Sequence, residues 1–370
     1  MARQKPTTKL CKHCKTEIPY DAKVCPNCRR RVKGGKLKWV IIALAILFVI
    51  AAASGGNSDE TKKVGTVETP APSEQSVSQD ELQAEENQQQ ESAPQEEVKS
   101  EYHVGDILQD GDMKIVYVSS GDYHEDNEFL QPKDGEKYIF LKLAFENTSE
   151  KSDSSVSFYS FECYADGYAC EAYYGGEEDL SATLSAGRST MGYLYFTVPE
   201  KAEKIEIEYK PNFLTEKKIR FAFDGEQDSG YELEKAASAA ENAYHVGDVA
   251  EAGNLRIKYL DCGVYHSDNE FIQPKDGYHY IYCKLECENT ADKDDDEYVS
   301  YFNFDCYADG VSCEALYSMD DALSATISAG HKAKGTVAFE VPDGAKVVEV
   351  EYLTNVWTSN RIVFDCSKAG

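Results

Sequence analysis

Histidine is scarce, with seven in 370 residues, and tryptophan scarcer still, with two. None of the spacings that mark common catalytic centres occurs. There is no Gly-x-Ser-x-Gly elbow to hold a nucleophilic serine, no His-Glu-x-x-His to seat a catalytic zinc, and no glycine loop to cradle phosphate. Paired carboxylates obey no spacing rule and remain open as a hydrolytic alternative, but nothing selects a pair. The chain therefore reads as a non-enzyme. Basic residues are also scarce after the first 38 positions: that segment holds 12 Lys and Arg against two acidic residues, whereas the remainder holds 26 against 64. So acidic a body disfavours nucleic acid and anionic wall polymers as partners.

Long apolar runs are missing with one exception. Trp39 to Ala53 carries no charge over 15 residues. At helical rise this covers roughly 22 Å, and Leu37 with Ser54, Gly55 and Gly56 extends it toward a hydrocarbon core about 30 Å thick. Residues 37–56 are thus expected to form one transmembrane helix. Cleavage after Ala51-Ala52-Ala53 is the alternative, but the charged region of such a signal peptide would be 38 residues long and would contain a metal site, so an uncleaved anchor is favoured. Arg29, Arg30, Arg31, Lys33, Lys36 and Lys38 flank the start of the helix. Such an excess stays in the cytoplasm, which places the carboxyl-terminal bulk outside the cell membrane. Aromatic residues are absent from Ser54 to Glu101, which is rich in Ser, Pro, Gln and Glu. Such a segment buries too little apolar surface to offset the entropy of ordering it, so 57–101 reads as a disordered acidic stalk spanning roughly 40 Å.

What is present before the helix is a metal-ligand pattern. Cys11 and Cys14, then Cys25 and Cys28, form two Cys-x-x-Cys knuckles separated by ten residues. Four soft thiolates close a tetrahedral shell around zinc, the expected cofactor, and leave no open position for a substrate. His13 reads as an exposed residue. Together with Ile18-Pro19, Ala22-Lys23 and Pro26, the cysteines resemble the short zinc-ribbon family at the amino terminus of many bacterial membrane proteins. The glycines that commonly follow the knuckles there are Lys15 and Arg29 here.

The larger part of the chain is duplicated. Tyr102-His103-Val104-Gly105-Asp106 recurs as Tyr244-His245-Val246-Gly247-Asp248, an offset of 142. After one inserted residue the offset is 143, so that Cys163-Tyr164-Ala165-Asp166-Gly167 matches Cys306-Tyr307-Ala308-Asp309-Gly310. Within each copy the apolar residues alternate, as in Leu141, Leu143 and Phe145, which predicts strands bounded by Asp-Gly, Asn-Thr and Pro turns. The fold class is therefore mainly β: a zinc ribbon in 1–36, the membrane helix, the stalk, and two tandem antiparallel β-sandwiches in 102–224 and 244–366. Residues 225–243 form a linker, with a short helix expected over Leu233 to Ala243. The Val-Gly-Asp start, the strand ending Glu-Asn-Thr, the Tyr-Ala-Asp-Gly hairpin and the Phe-x-Val-Pro segment resemble an immunoglobulin-like family of Gram-positive surface proteins and lipoproteins. Its fold is similar to that of a small secreted mycobacterial antigen. The resemblance implies fold and surface location, and supplies no catalytic residue.

Eight cysteines follow the helix. A two-residue Asp166-Gly167 loop would set Cys163 opposite Cys170, and the second copy repeats this with Cys306 and Cys313, so two disulfides are expected. Cys262, Cys283, Cys287 and Cys366 stand where the first copy has Ser120, Leu141, Phe145 and Phe223. Three of these are core positions, so the thiols read as small hydrophobes with their pairing open. The loops 124–128 and 266–270, His-Glu-Asp-Asn-Glu and His-Ser-Asp-Asn-Glu, could offer oxygen ligands to calcium but lack a regular calcium-loop spacing. A solvated turn capped by Asp and Asn is the favoured reading. The resulting expectation is a membrane-anchored envelope protein for binding or adhesion, meeting an unidentified protein or cell-envelope glycan outside. The alternative is a transmembrane sensor or scaffold whose zinc ribbon engages a cytoplasmic protein.

Overall fold

Alternation along the strands decides which side chains meet. In the strand Glu136–Asn147, Ile139, Leu141, Leu143 and Phe145 are fully buried, and in its counterpart Tyr278–Asn289 the same positions are Ile281, Cys283, Leu285 and Cys287. Each large side chain so buried stabilises the fold by roughly 1.5–3 kcal/mol. The computed structural model describes residues 8–10, 17–19, 62–66, 101–176, 178–212, 217–235, 240–293, 295–319, 321–355 and 360–370.

In the first repeat one antiparallel sheet runs Lys62–Thr66, Asp106–Asp110, Met113–Tyr123, Glu136–Asn147, Ser189–Pro199 and Tyr168–Ala172. The facing sheet runs Ile219–Ala222, Ile205–Tyr209, Phe161–Ala165 and again Tyr168–Ala172. That last strand belongs to both sheets and turns the corner between them. In the second repeat the corner strand is divided: Glu314–Leu316 edges the sheet of Val249–Ala252, Leu255–Tyr265, Tyr278–Asn289 and Lys332–Pro342, whereas Val311–Ser312 joins Phe304–Ala308, Val348–Asn355 and Asn360–Asp365. Each pair of sheets encloses its own core, one around Leu141, Phe145, Ile207 and Phe221, the other around Tyr259, Leu285, Phe339 and Phe364. The mainly β, sandwich-like architecture read from the alternation is the one observed.

Two expectations about connecting segments change. Lys62–Thr66 lies inside the expected stalk, yet it is a strand on the edge of Asp106–Asp110, and Lys63 pairs with Asp106. The linker holds no helix among its described residues, and positions 236–239 lie outside them. Instead Gln227–Asp228 pairs with Ser119 and Ser120, and Tyr231 and Leu233 pack over Val116, Val118 and Ala144. An apolar patch on the outer face of the sheet takes up the start of the segment that was expected to be helical. Among the described residues no helix is long and apolar enough to cross a membrane, and the segment 37–56 lies outside them.

Candidate recognition site

Two adjacent aromatic residues in a period-two strand cannot both face the core. At Phe158-Tyr159 and Tyr301-Phe302 the conflict is met by a single 3-10 turn, Phe158–Ser160 and Tyr301–Asn303. Ser157 Oγ accepts from the Tyr159 amide, and Ser300 Oγ from the Phe302 amide, while Asn303 reaches back to the Ser300 amide. The turn tucks Phe158 and Tyr301 half inside and projects the next ring outward. A third ring follows from the loop after the corner strand: Tyr174 lies 5.3 Å from Phe158, and Tyr317 lies 5.6 Å from Tyr301 and 5.4 Å from Phe302. Tyr159 and Tyr174 are 79% and 60% exposed, and Phe302 and Tyr317 are 70% and 55% exposed. Each repeat thus carries the same three-ring apolar patch on its surface. Aromatic side chains clustered in water are the material of binding interfaces. The sequence holds the signal in the doubled aromatics Phe158-Tyr159 and Tyr301-Phe302.

The loops considered for calcium are self-satisfied turns. Asn127 Oδ1 accepts from the Phe129 amide and Asn269 Oδ1 from the Phe271 amide, both at 3.0 Å. Glu125 accepts from the Asn127 amide and from the Tyr173 hydroxyl, and these bonds, Tyr173 first, hold its carboxyl below the usual range. Among the described residues no group of three His, Cys, Asp or Glu side chains is placed to hold a metal ion. What these loops present is apolar: Phe129 and Phe271 project from them almost fully exposed.

The hairpins fall where the Asp-Gly pairs put them. Asp166 and Gly167 adopt φ of 49° and 83°, and Asp309 and Gly310 adopt 50° and 88°, the left-handed pair that a two-residue turn requires. Cys163 consequently stands opposite Cys170, and the Cys313 amide donates to the Cys306 carbonyl. The expected disulfides are nonetheless absent: Cys163, Cys170, Cys306 and Cys313 are free thiols, as are Cys262, Cys283, Cys287 and Cys366. The Cys170 thiol lies 3.6 Å from the Tyr168 carbonyl and that of Cys313 3.7 Å from the Val311 carbonyl, and each meets the thiol opposite it, Cys163 or Cys306, without bonding to it covalently. Burial raises the thiol pKa of Cys163 and Cys306 and keeps them protonated. Cys283, Cys287 and Cys366 are fully buried in the second core, as small hydrophobes would be.

The zinc ligands Cys11, Cys14, Cys25 and Cys28 lie outside the described residues. Around the first pair, Thr8–Leu10 and Glu17–Pro19 form an antiparallel hairpin whose connecting segment contains Cys11 and Cys14.

Residues 102–219 and 244–362 match the model of a family described as a domain of unknown function (DUF4352). No curated protein matches the chain. Among solved structures it is similar to a lipoprotein candidate, ycdA, of Bacillus subtilis, at 20% identity and a TM-score of 0.25, over 30% of this chain and 36% of that one. It is also similar to the yjhA protein of Bacillus subtilis, at 16% identity and a TM-score of 0.27, over 33% of this chain and 99% of that one. A third likeness is to an uncharacterized β-sandwich protein of Clostridium difficile, at 14% identity and a TM-score of 0.23, over 36% of this chain and 100% of that one. The chain spans about a third of the length of ycdA.

Proposed function

The chain belongs to the DUF4352 family, and on that footing we propose that it is a non-enzymatic cell-envelope binding protein, anchored by residues 37–56, with its two β-sandwiches outside the membrane. The observation that carries this reading is the duplicated aromatic patch, Phe158, Tyr159 and Tyr174 in one repeat and Tyr301, Phe302 and Tyr317 in the other. Two equal patches on one chain favour a partner that is itself repetitive, because the second contact then forms at a raised effective concentration. The acidic surface turns away anionic polymers and leaves an uncharged envelope glycan or a protein as the partner met by the rings.

In the cytoplasm, Cys11, Cys14, Cys25 and Cys28 would hold one structural zinc ion. Their four thiols and the hairpin Thr8–Leu10 with Glu17–Pro19 suit a ribbon. The metal would supply folding energy there and no catalysis.

The test is retention of uncharged envelope glycan and of envelope proteins by the immobilised full chain. Retention should be lost in a Tyr159→Ser, Phe302→Ser double variant, and equal retention by that variant would overturn the reading. Protease treatment of intact cells should release the β domains, and zinc should be found near one equivalent of the purified chain.

A further inference from the structure

The first strands of the two repeats are built alike and covered differently. Asp106 and Asp248 stand at corresponding places, and each donates its amide to the carbonyl of the histidine three residues before it at 2.9 Å. Each carboxylate accepts that histidine's amide in return, at 3.2 Å from His103 and 2.9 Å from His245. In the first repeat Lys62–Thr66 adds an antiparallel strand to this edge, with Lys63 opposite Leu108 and its ammonium paired with Asp106. In the second, Val249–Ala252 pairs with Leu255–Tyr265 on one side, and no described strand lies on the other. Burial follows the difference. From Val104 to Asp110 no residue is exposed, whereas from Val246 to Glu251 every residue but Ala250 is.

A sheet edge presents a row of N–H and C=O groups without partners, and proteins blunt it with proline, lysine, a bulge or a cover. The first repeat uses a cover that contains lysine. The second edge has no proline, no lysine and no shift of register, and it shows Val246 and Val249 half in water. Glu251 is held by Arg256 at 2.9 Å. Asp248 is then the acid of this edge that no cation meets among the described residues.

We propose that Asp248–Glu251 of the second repeat is a peptide-binding edge that takes an extended, lysine-bearing segment of a partner protein as an added antiparallel strand. Lys62–Thr66 is the pattern for such a ligand. Main-chain hydrogen bonds along the edge supply affinity, and a lysine opposite Ala250, where Lys63 stands opposite Leu108, supplies specificity by reaching Asp248. Gly65 stands opposite Ile107, so the ligand needs no large side chain opposite the counterpart, Val249. Asp248 and Glu251 turn an acidic segment away. The edge shares no residue with the aromatic patches and stands or falls apart from them.

The test is fluorescence polarisation of a labelled peptide with the sequence of residues 60–68, titrated with the full chain in a mild non-ionic detergent. Binding should saturate. Asp248→Asn keeps an acceptor for the His245 amide and removes the charge, and it should weaken binding several-fold, as should Lys63→Gln in the peptide. The two changes together should cost no more than either alone, because they remove one and the same ion pair. Hydrogen exchange at Val249–Ala252 should slow when the peptide is bound, as strand addition requires. Absence of saturable binding, an Asp248→Asn chain that binds as the wild type does, additive losses, or unchanged exchange at Val249–Ala252 would each overturn the proposal. A peptide that displaces Lys62–Thr66 from the first edge instead would give the second of these results.

Discussion

The first repeat fills its core with Leu141, Phe145 and a partly buried Phe223, where the second places Cys283, Cys287 and Cys366. Phe145 meets Phe161 and Tyr209 edge-on, with centroids at 6.5 Å and 5.5 Å. Phe161 and Tyr209 themselves stack at 4.5 Å, and the corresponding Phe304 and Tyr352 pack at 4.8 Å with a thiol, Cys287, where Phe145 stands in the first repeat. Both repeats keep the same strands and the same Asp-Gly turns in spite of this loss of side-chain volume. The pattern of alternation and the turns therefore specify this fold, and the particular ring packing adds stability to it. Burial pushes the Cys287 thiol up to about 12, so the sulfur behaves as an apolar filler.

If that comparison is right, truncation should cost the repeats unequally. Phe145→Ala should lower stability by about 3–5 kcal/mol in denaturant unfolding, and Cys287→Ala by about 1 kcal/mol or less. Equal losses would mean that the second core is as tightly packed as the first. At the joint between the repeats Arg188 lies 2.7 Å from Glu349 and 2.6 Å from Glu351, both buried. Arg188→Ala leaves Glu351 to Arg361 and Ser185 and Glu349 to the Ala240 amide and should cost about 3 kcal/mol, whereas His331→Ala, at the exposed counterpart position, should change stability by less than about 0.5 kcal/mol. Tyr307→Phe removes a hydroxyl that donates to the Thr183 carbonyl and accepts from the amide of buried Ser185, and should cost about 1–3 kcal/mol; Tyr164→Phe, whose hydroxyl donates to the exposed Glu162, should be near neutral within about 0.5 kcal/mol.

The smallest effect concerns pH. Burial pushes the Glu208 carboxyl up, but its bonds with Lys218 and Arg220 outweigh this and hold its pKa below the ordinary carboxylate range. A folded pKa below the unfolded one means that the contribution is complete above the unfolded value and is lost as pH falls through the folded value. Glu208→Gln should therefore lower the neutral plateau slightly and leave the stability at low pH nearly unchanged, which flattens the acid limb, and an unaltered acid limb would remove Glu208 from the account.

The sandwich was legible in the sequence because its determinants are local. Leu141, Leu143 and Phe145 announce a buried face, and Asp166-Gly167 announces a turn that sets the register on both sides. The strand Lys62–Thr66 was not legible, since its Lys-Lys-Val-Gly-Thr has little apolar content and is held by pairing with an edge more than forty residues away. The joint was hidden for a different reason: Tyr164 and Tyr307 are the same residue in the same motif, and only the neighbouring repeat decides that one is half-covered and the other fully buried. The disulfides were inferred from Cα register, which the hairpins obey, but register does not set the rotamer of Cys170 or Cys313. The aromatic patches were written in the doubled rings at Phe158-Tyr159 and Tyr301-Phe302, legible once exposure is asked of each ring separately.

The corner strand also gives each repeat a mechanical character. In the first repeat residues 168–170 pair with one sheet and 171–172 with the other. In the second, Val311–Ser312 and Glu314–Leu316 divide in the same way, and the Cys313 amide bonds to the Cys306 carbonyl between them. A load applied to one sheet of either repeat therefore reaches the other along the continuous backbone of a single short strand. One duplicated fold would then offer a tethered protein two links in series, and single-molecule pulling should register one rupture event for each repeat.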